Sequence, residues 1–471
     1  MSISQSGGAA RDGLDVPPAQ DDGVERAPSA KSGAARSGAT TQTQAKERSV
    51  LGAMVRHSVF RNTMMLFAVT VLNYVMPLVL IPFLARVLGV ELYGVYAFGM
   101  SLYLIGLLVI DYGFPVHGLY SVVESRDDPE RVGRLLSCML IIKLGLFALL
   151  TAALAGFVWY SGLYVEHRLF LMLTALPVLG AALQFRWVFL AVEKSGAIFR
   201  YTVVGRVLQV VLVIALVARP EDYLLVPISQ GIATILSGAL CIGMMYRLGL
   251  KFRVPSWKDV IDQLRGASSY FWANVAGANL GFMGVFVLGL VASPAALAIY
   301  AAAEQLYRAI RSLYYPLADA LVPYMKRSND TKVMKRLLWV VCGGTFVGVA
   351  IGLVIAPQVV QLLFGPGFEG AAYFLRILLL AFLPCVPSIL IGYPLLGTMG
   401  YGPQINHVVV LAAIISMSTL GLLWYFEALG GTTVAWMIVG SEGFIFAGLM
   451  LLLLRALAKR RNGDPGDAIS G

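Results

Sequence analysis

Long apolar stretches alternate with short polar connections along most of the chain, from about Phe60 to Leu454. Each stretch holds roughly 20 mostly apolar residues, which is the length that a helix needs to cross a bilayer. The pattern predicts twelve spans, so we expect an all-α polytopic membrane protein. The predicted spans cover about residues 62–84, 92–112, 136–158, 169–189, 199–218, 224–246, 270–292, 296–318, 337–364, 371–397, 404–426 and 432–454.

Polar segments divide the chain further. Residues 1–55 predict a disordered cytoplasmic tail, because most of them are small or polar and large apolar side chains are almost lacking. The longest internal polar connection, residues 247–269, predicts a cytoplasmic linker that carries a short amphipathic surface helix from Trp257 to Leu264. We expect it to separate a lobe of six spans in 56–246 from a second lobe of six spans in 270–455, with another cytoplasmic tail in 456–471.

A short internal sequence repeat relates the two predicted lobes. Tyr96-Ala97 and Leu102-Tyr103 in the second span recur 204 residues later as Tyr300-Ala301 and Leu306-Tyr307 in the eighth. Because six spans is an even number, the two lobes would run in the same direction and be related by a pseudo-two-fold axis along the membrane normal. Parallel repeats of this kind occur in transporters.

The distribution of charge predicts the orientation in the membrane. Hydrophobic residues make up 58% of the chain and charged residues only 13%, against about 25% charged in soluble domains. Of the 36 Lys and Arg residues, 27 fall on one predicted side of the membrane, 3 on the other and 6 within spans. This asymmetry predicts that both termini are cytoplasmic. It also accounts for the net charge of +10 without a nucleic-acid partner.

The eighth span carries the most informative charges. Glu304, Arg308, Arg311 and Tyr315 are spaced by four, three and four residues, which places them on one helix face. One interpretation is a cationic stripe that lines a water-filled cavity. The other is a structural Glu304–Arg308 pair that locks two helices together. Since one acid beside two arginines leaves a cation uncompensated, the stripe favours an anionic ligand.

Three further cations lie within spans of the first lobe: Arg186, Arg206 and Lys143. All three lie toward the cytoplasmic part of their spans. They are candidate cavity residues, and the alternative is that their long side chains extend to the membrane surface. The four cysteines and four histidines show no spacing typical of metal ligands, so we expect no metal and no cofactor.

The chain shows no motif of an enzyme. A P-loop, a nucleophile elbow and a zinc-ligand pair are all missing from the sequence. The outward connections are short, whereas a membrane enzyme acting on the far side would be expected to offer a larger outer loop. These observations favour a transporter.

Two sequence motifs resemble those of Wzx-type polysaccharide flippases of the multidrug/oligosaccharidyl-lipid/polysaccharide exporter superfamily. The first is the run Pro82 to Gly89, then Glu91, the run Tyr93 to Phe98, and Asp111-Tyr112-Gly113-Phe114. The second is the run Ala303 to Ala309, with Pro316 and Pro323-Tyr324. The resemblance covers nearly all of residues 55–455.

The resemblance implies twelve helices in two lobes in the bacterial inner membrane. It implies translocation of an undecaprenyl-pyrophosphate-linked oligosaccharide for surface polysaccharide biosynthesis, by alternating access. Coupling to protons or sodium ions is suspected for the wider group, and nothing in the sequence identifies the ion. A polysaccharide polymerase and assembly proteins are expected partners, besides the lipid-linked substrate and membrane lipid.

Two alternative functions stay open at this stage. A cation-coupled drug antiporter of the same fold would favour buried acids, whereas the charges within the spans here are mainly Arg and Lys. A membrane polysaccharide polymerase would form glycosidic bonds, whereas a flippase makes and breaks none.

Overall fold

The computed structural model describes residues 34–328 and 331–461. Side chains are described in residues 64–73, 76–77, 79–272, 274–275, 283–328 and 332–459. The chain separates into two units, residues 1–60 and 61–471. Of the predicted tails, residues 1–33 and 462–471 lie outside the described residues. Residues 34–55 are helical.

The first helix, α1, covers Ala34–Asp111 and is interrupted at Gly89. Gly89 has φ 71° and ψ 177°, a conformation that glycine adopts readily because it lacks a Cβ. A Cβ at this position would meet nothing within 4 Å, so the backbone conformation, not space, requires glycine. The break falls in the connection predicted between the first two spans.

The remaining helices of the first half are mostly short or of single-span length. They are α2 Phe114–Glu124, α3 Pro129–Tyr160, α4 Arg168–Leu173, α5 Ala175–Ala182, α6 Arg186–Ala191, α7 Ser195–Leu216 and α8 Leu225–Arg247. The predicted fourth span, 169–189, is therefore three short helices. Helices α5 and α7 both pack on α8, and α2 packs on α6.

The second half consists mainly of long helices separated by short turns. They are α9 Trp257–Gly289, α10 Pro294–Ser312, α11 Tyr315–Ser328, α12 Thr331–Phe364, α13 Ala371–Leu380, α14 Phe382–Leu390, α15 Gly402–Tyr425 and α16 Gly431–Arg461. A wider π-type turn over Ile391–Gly397 follows α14. Helix α10 packs mainly on α13, while α14 and α15 both pack on α16.

Helix α9 begins where the sequence predicts the amphipathic surface helix. Ser256 Oγ accepts a hydrogen bond from Asp259 N, and the Asp259 carboxylate accepts one from Ser256 N, so the two residues cap the helix reciprocally. The Ser256 backbone N–H holds the pKa of the Asp259 carboxyl below its usual range. The helix then continues without a break into the seventh predicted span.

Eight helical segments of the described residues are long and apolar enough to cross a membrane, and nine if the pair 371–380 and 382–397, bent by 41°, is one span. These segments correspond to nine of the twelve predicted spans. The other three predicted spans also fall on helices. Residues 62–84 and 270–292 include side chains outside the described residues, and α10 carries three charged residues, Glu304, Arg308 and Arg311.

The two halves meet closely at one end of the bundle, which we call the closed end. A Cβ built on Gly94 would lie 1.8 Å from the Pro294 carbonyl oxygen, so the backbones of α1 and α10 are in direct contact. Phe98 stacks on Phe286, with ring centroids 6.0 Å apart, and Tyr164 Oη donates to Gly289 O at 3.1 Å.

A loop between α12 and α13 completes the closed end. The rings of Phe364 and Phe368 lie 6.1 and 5.4 Å from that of Tyr93, and all three side chains are buried. The Arg86 guanidinium donates to the Leu362 carbonyl in the last turn of α12. The apolar core is thus continuous between the halves at this end.

Candidate functional site

Two adjoining cavities lie within the bundle, with volumes of about 410 and 310 Å³. The first cavity lies within the first half, between α1, α5, α6, α7 and α8. The second cavity lies between the halves, with α1 on one side and α10 on the other. They share five lining residues, Asn73, Tyr103, Leu107, Arg206 and Gln209. Both cavities therefore belong to one polar interior.

Arg186 reaches the first cavity because the fourth predicted span is broken beside it. Helix α5 ends at Ala182 and α6 begins at Arg186. The backbone between them has lost part of its helical hydrogen bonding: Lys143 Nζ donates to Gln184 O at 3.1 Å, and Phe185 N donates to Cys241 Sγ at 3.3 Å. Irregular backbone at membrane depth is tolerated where it lines a polar cavity.

Lys143 is buried behind the residues that line the first cavity and does not itself line that cavity. Its side chain is only 1% exposed. Its Nζ lies 3.2 Å from the Asp111 carboxylate, and the ammonium also lies 5.5 Å from the centre of the Phe185 ring. Asp111 is half exposed and lines the cavity. Lys143 therefore neutralises the acid of this cavity and holds the break before Arg186.

Arg206 lines both cavities. Its Nε donates to Asn73 Oδ1 at 3.0 Å, and its Nη1 donates to Gln209 Oε1 at 3.1 Å. Both of these partners are neutral amides, so they orient the guanidinium without cancelling its charge. Asn73 lines the cavity as a partner of Arg206.

Arg308 lines the second cavity from α10. Its Nη2 donates to Gln305 Oε1 at 2.9 Å, and its Nε lies 3.8 Å from Glu304 Oε1. Glu304 itself is buried, with 2% of its surface exposed. Tyr93 and Tyr96 line the same cavity from α1. Arg308 is thus the residue of the predicted stripe that the structure places at the cavity.

Arg311, the other arginine of the stripe, faces a different partner. Its Nη2 lies 2.9 Å from Glu442 Oε1 on α16, and Tyr307 Oη donates to the same oxygen at 3.3 Å. Arg311 is not one of the described residues that line either cavity. The premise of a single acid beside two arginines is wrong, because it overlooked Glu442, the one acid within the apolar span 432–454.

The repeated tyrosines of the second and eighth spans have different environments. Tyr96 and Tyr103 line the second cavity. Tyr300 and Tyr307 are fully buried and pack on Phe374 and Phe382. Both spans line the cavity, but the eighth does so through Ala301, Gln305 and Arg308.

The described cavity surface has a clear electrostatic character. Three guanidinium groups line it among the described residues, those of Arg186, Arg206 and Arg308. The only acid among the described lining residues is Asp111, which is paired with Lys143. Glutamine, asparagine and hydroxyl groups make up much of the remaining polar surface. The arrangement suits an anionic, strongly hydrogen-bonding ligand.

A charged cavity between two helical halves of a polytopic membrane protein is the architecture of a membrane transporter. Its fold is similar to that of "Lipid II flippase MurJ", with a TM-score of 0.65 and 10% identity over 87% of this chain and 94% of that one. It is also similar to a multidrug resistance MATE family transporter of the MOP superfamily, with a TM-score of 0.61 and 14% identity over 83% of this chain and 99% of that one.

The family follows from the sequence match. Residues 59–329 match the model of the family "Polysaccharide biosynthesis protein", and the chain belongs to that family. A relative from Shigella dysenteriae, described as "Putative O-antigen transporter", is 24% identical over 407 residues, which cover 84% of this chain and 99% of the relative. The protein is a membrane transporter of polysaccharide biosynthesis and not an enzyme, as the sequence motifs indicated.

Proposed function

We propose that this protein is a flippase that moves an undecaprenyl-pyrophosphate-linked oligosaccharide from the inner to the outer leaflet of the bacterial inner membrane. The observation that carries the proposal is that, among the described lining residues of two joined cavities, three are arginines and the one acid, Asp111, is neutralised by Lys143. Arginine forks match phosphate oxygens in geometry and charge. The relative named as an O-antigen transporter supports the same substrate class.

The two cavities suit two parts of such a substrate. The second cavity lies between the halves, where a pyrophosphate can meet Arg206 and Arg308 while the lipid stays in the bilayer. The first cavity is larger and lies within the first half, with amide and hydroxyl groups that can bind sugars. We propose that the oligosaccharide extends from the shared residues into the first cavity.

The transport cycle we propose is alternating access. The twelve predicted spans form two six-helix lobes, 56–246 and 270–455, with both termini and the 247–269 linker in the cytoplasm. The closed end, at Gly94, Pro294 and the 364–368 loop, then lies on the periplasmic side. Opening it while closing the opposite end would expose the cavity outward.

A drug antiporter of the same fold fits the cavity less well. Organic cations need an available acid, and the two buried glutamates of α10 and α16 each lie beside an arginine. The acid that lines the cavity, Asp111, is likewise paired.

Leaflet movement in proteoliposomes tests the proposal. Purified protein should accelerate the movement of a fluorescent undecaprenyl-pyrophosphate oligosaccharide between leaflets, measured by protection from an external quencher. Undecaprenyl phosphate without sugar serves as the comparison lipid, and empty liposomes give the background rate. Formation of glycosidic bonds in the same vesicles, or a rate equal to the background, would contradict a flippase.

A further inference from the structure

Two buried glutamate–arginine pairs in the second half differ in one respect. In the pair of α10 and α16, Arg311 lies 2.9 Å from Glu442, which also accepts from Tyr307. In the pair within α10, Arg308 Nε lies 3.8 Å from Glu304 Oε1, and the same guanidinium lines the second cavity. Glu442 therefore keeps Arg311 as its partner when an anion enters the cavity. Glu304, by contrast, depends on Arg308, and an anion in the cavity also attracts Arg308.

Glu304 has little else to compensate its charge. Its Oε2 lacks a hydrogen-bond partner among the described residues, and so does Tyr300 Oη one helical turn earlier. Both side chains are buried, at 2% and 0% exposure. A buried carboxylate that is neither paired nor hydrogen-bonded is strongly disfavoured in its charged form.

Among the described residues, the elements packed around Glu304 bring no second cation to it: Arg311 pairs with Glu442, and Arg376 of α13 donates to Leu353 O. On α10 its charged neighbour is Arg308 and its titratable neighbour is Tyr300. On α16, Glu442 is engaged with Arg311 and Tyr307. Tyr300 packs on Phe374 of α13, and α9 approaches it at Gly284. From α1, the phenol groups of Tyr93 and Tyr96 line the same cavity as Arg308.

We infer that anion binding at Arg308 is linked to the uptake of a proton by Glu304. When the guanidinium turns to a pyrophosphate in the second cavity, Glu304 loses its cation and is converted from a carboxylate to a carboxylic acid. The proton comes from solvent through the cavity, and Arg308 stays charged throughout. By reciprocity, protonation of Glu304 frees Arg308 and raises its affinity for the anion. This inference rests on the proposed function, since it requires Arg308 to bind an anion.

Calorimetry on the purified full chain measures the proton directly. Inorganic pyrophosphate is titrated at one pH in two buffers of different protonation enthalpy, and the difference in heat gives the number of protons taken up. Glu304→Gln should take up fewer protons than the wild type, by roughly one at most. The protons that pyrophosphate itself binds are the same for the wild type and for Glu304→Gln, so they cancel when the two proton numbers are subtracted. The wild-type affinity should fall as pH rises, by up to about tenfold per pH unit more than that of Glu304→Gln.

Glu442→Gln is the matched control, because its partner Arg311 does not line the cavity, and it should keep the wild-type proton number. Infrared difference spectra of the wild type add a readout that needs no variant: a protonated carboxyl should appear when pyrophosphate binds. Equal proton uptake by wild type and Glu304→Gln, or no new carboxyl signal, would overturn the linkage and leave the anion site standing. Failure of the wild type to bind pyrophosphate would instead contradict the anion site of the proposed function.

Discussion

Individual side chains separate into those that face the cavity and those that support it. The sequence offered six candidates, with the stripe of the eighth span foremost. In the structure Arg186, Arg206 and Arg308 line the cavities, whereas Lys143, Glu304 and Arg311 lie behind them in ion pairs. Substitutions should therefore fall into two classes with different readouts.

Arg308→Gln and Arg311→Gln provide the first comparison. Loss of the Arg308 charge removes a charge-assisted hydrogen bond to the ligand, worth about 1.5–3 kcal/mol, so pyrophosphate affinity should fall by at least about tenfold. Loss of the Arg311 charge leaves Glu442 buried without a cation, which costs about 3–5 kcal/mol and should lower Tm.

Calorimetry for affinity and thermal unfolding for Tm separate these outcomes. The double change Arg311→Met with Glu442→Met should recover much of the lost stability, because it removes both charges of the pair. An Arg311→Gln variant with normal Tm and weakened pyrophosphate binding would show that Arg311, too, contacts the ligand.

Lys143→Met tests the supporting role of the buried lysine. Without the ammonium, the Asp111 carboxylate faces the cavity unpaired and repels an anion, so pyrophosphate binding should weaken several-fold. Adding Asp111→Asn should restore most of the affinity, since it removes the repelling charge. No rescue by the second change would mean that Lys143 acts through the Gln184 backbone alone.

Among the helices, breaks and close approaches matter more than length. The interruption between α5 and α6 places Arg186 in the first cavity, and the non-helical backbone at Gly89 interrupts α1. The contact of α1 with α10 depends on Gly94, where the Pro294 carbonyl occupies the space of a side chain. Each of these features positions one half against the other or against the ligand.

Gly94→Ala should disrupt the closed end. The methyl group would lie 1.8 Å from the Pro294 oxygen, and since a backbone atom cannot rotate away, the two helices must separate. Overpacking of this kind costs about 1–3 kcal/mol, so Tm and translocation should both fall. Gly145→Ala is the control: a Cβ there meets nothing within 4 Å, and alanine in a helix interior should be neutral or slightly stabilising. Similar Tm values for the two variants would contradict the close contact.

On the scale of the whole molecule, the halves touch at one end and enclose the cavity between them. If transport requires this end to open, a covalent bond across it should stop translocation. Val90 and Gly367 approach each other across this end, because a Cβ on Gly367 lies 2.7 Å from Val90 Cγ2. Gly367 has φ +88°, which strains any side chain there, so the reduced form of the same pair is the reference for translocation.

A cysteine pair at Val90 and Gly367, in a background lacking the four native cysteines, should form a disulfide under mild oxidation. Translocation should stop and return on reduction, while pyrophosphate binding persists. The matched control is a pair at Val408 and Gly448, which has the same 2.7 Å spacing within the second half. Undiminished translocation by the oxidised Val90–Gly367 pair would exclude opening at this end.

Orientation in the membrane is predicted from the charge distribution and gives a further test. Reporter fusions after Arg265 and at the C-terminus should both report a cytoplasmic location, because 27 of 36 basic residues lie on that predicted side. A periplasmic signal from either fusion would overturn the twelve-span arrangement and reverse the assignment of the closed end.

The sequence by itself determined the polytopic helical class, the family and the residue types of the site. These follow from local properties: apolar length sets a span, and a charge within a span has to be buried, paired or hydrated. The start of α9 at Trp257 and the break near Gly89 were also readable, since capping groups and glycine act on their own backbone.

Only the tertiary structure decided which cation faces the cavity. Arg308 and Arg311 share one face of α10 in sequence, yet Glu442 of α16, 131 residues further along, engages Arg311 and leaves Arg308 at the cavity. Lys143 likewise differs from Arg206 because Asp111 and the broken backbone at Gln184 surround it. Pairing depends on which helices pack together, and helical periodicity contains no information about a partner on another helix.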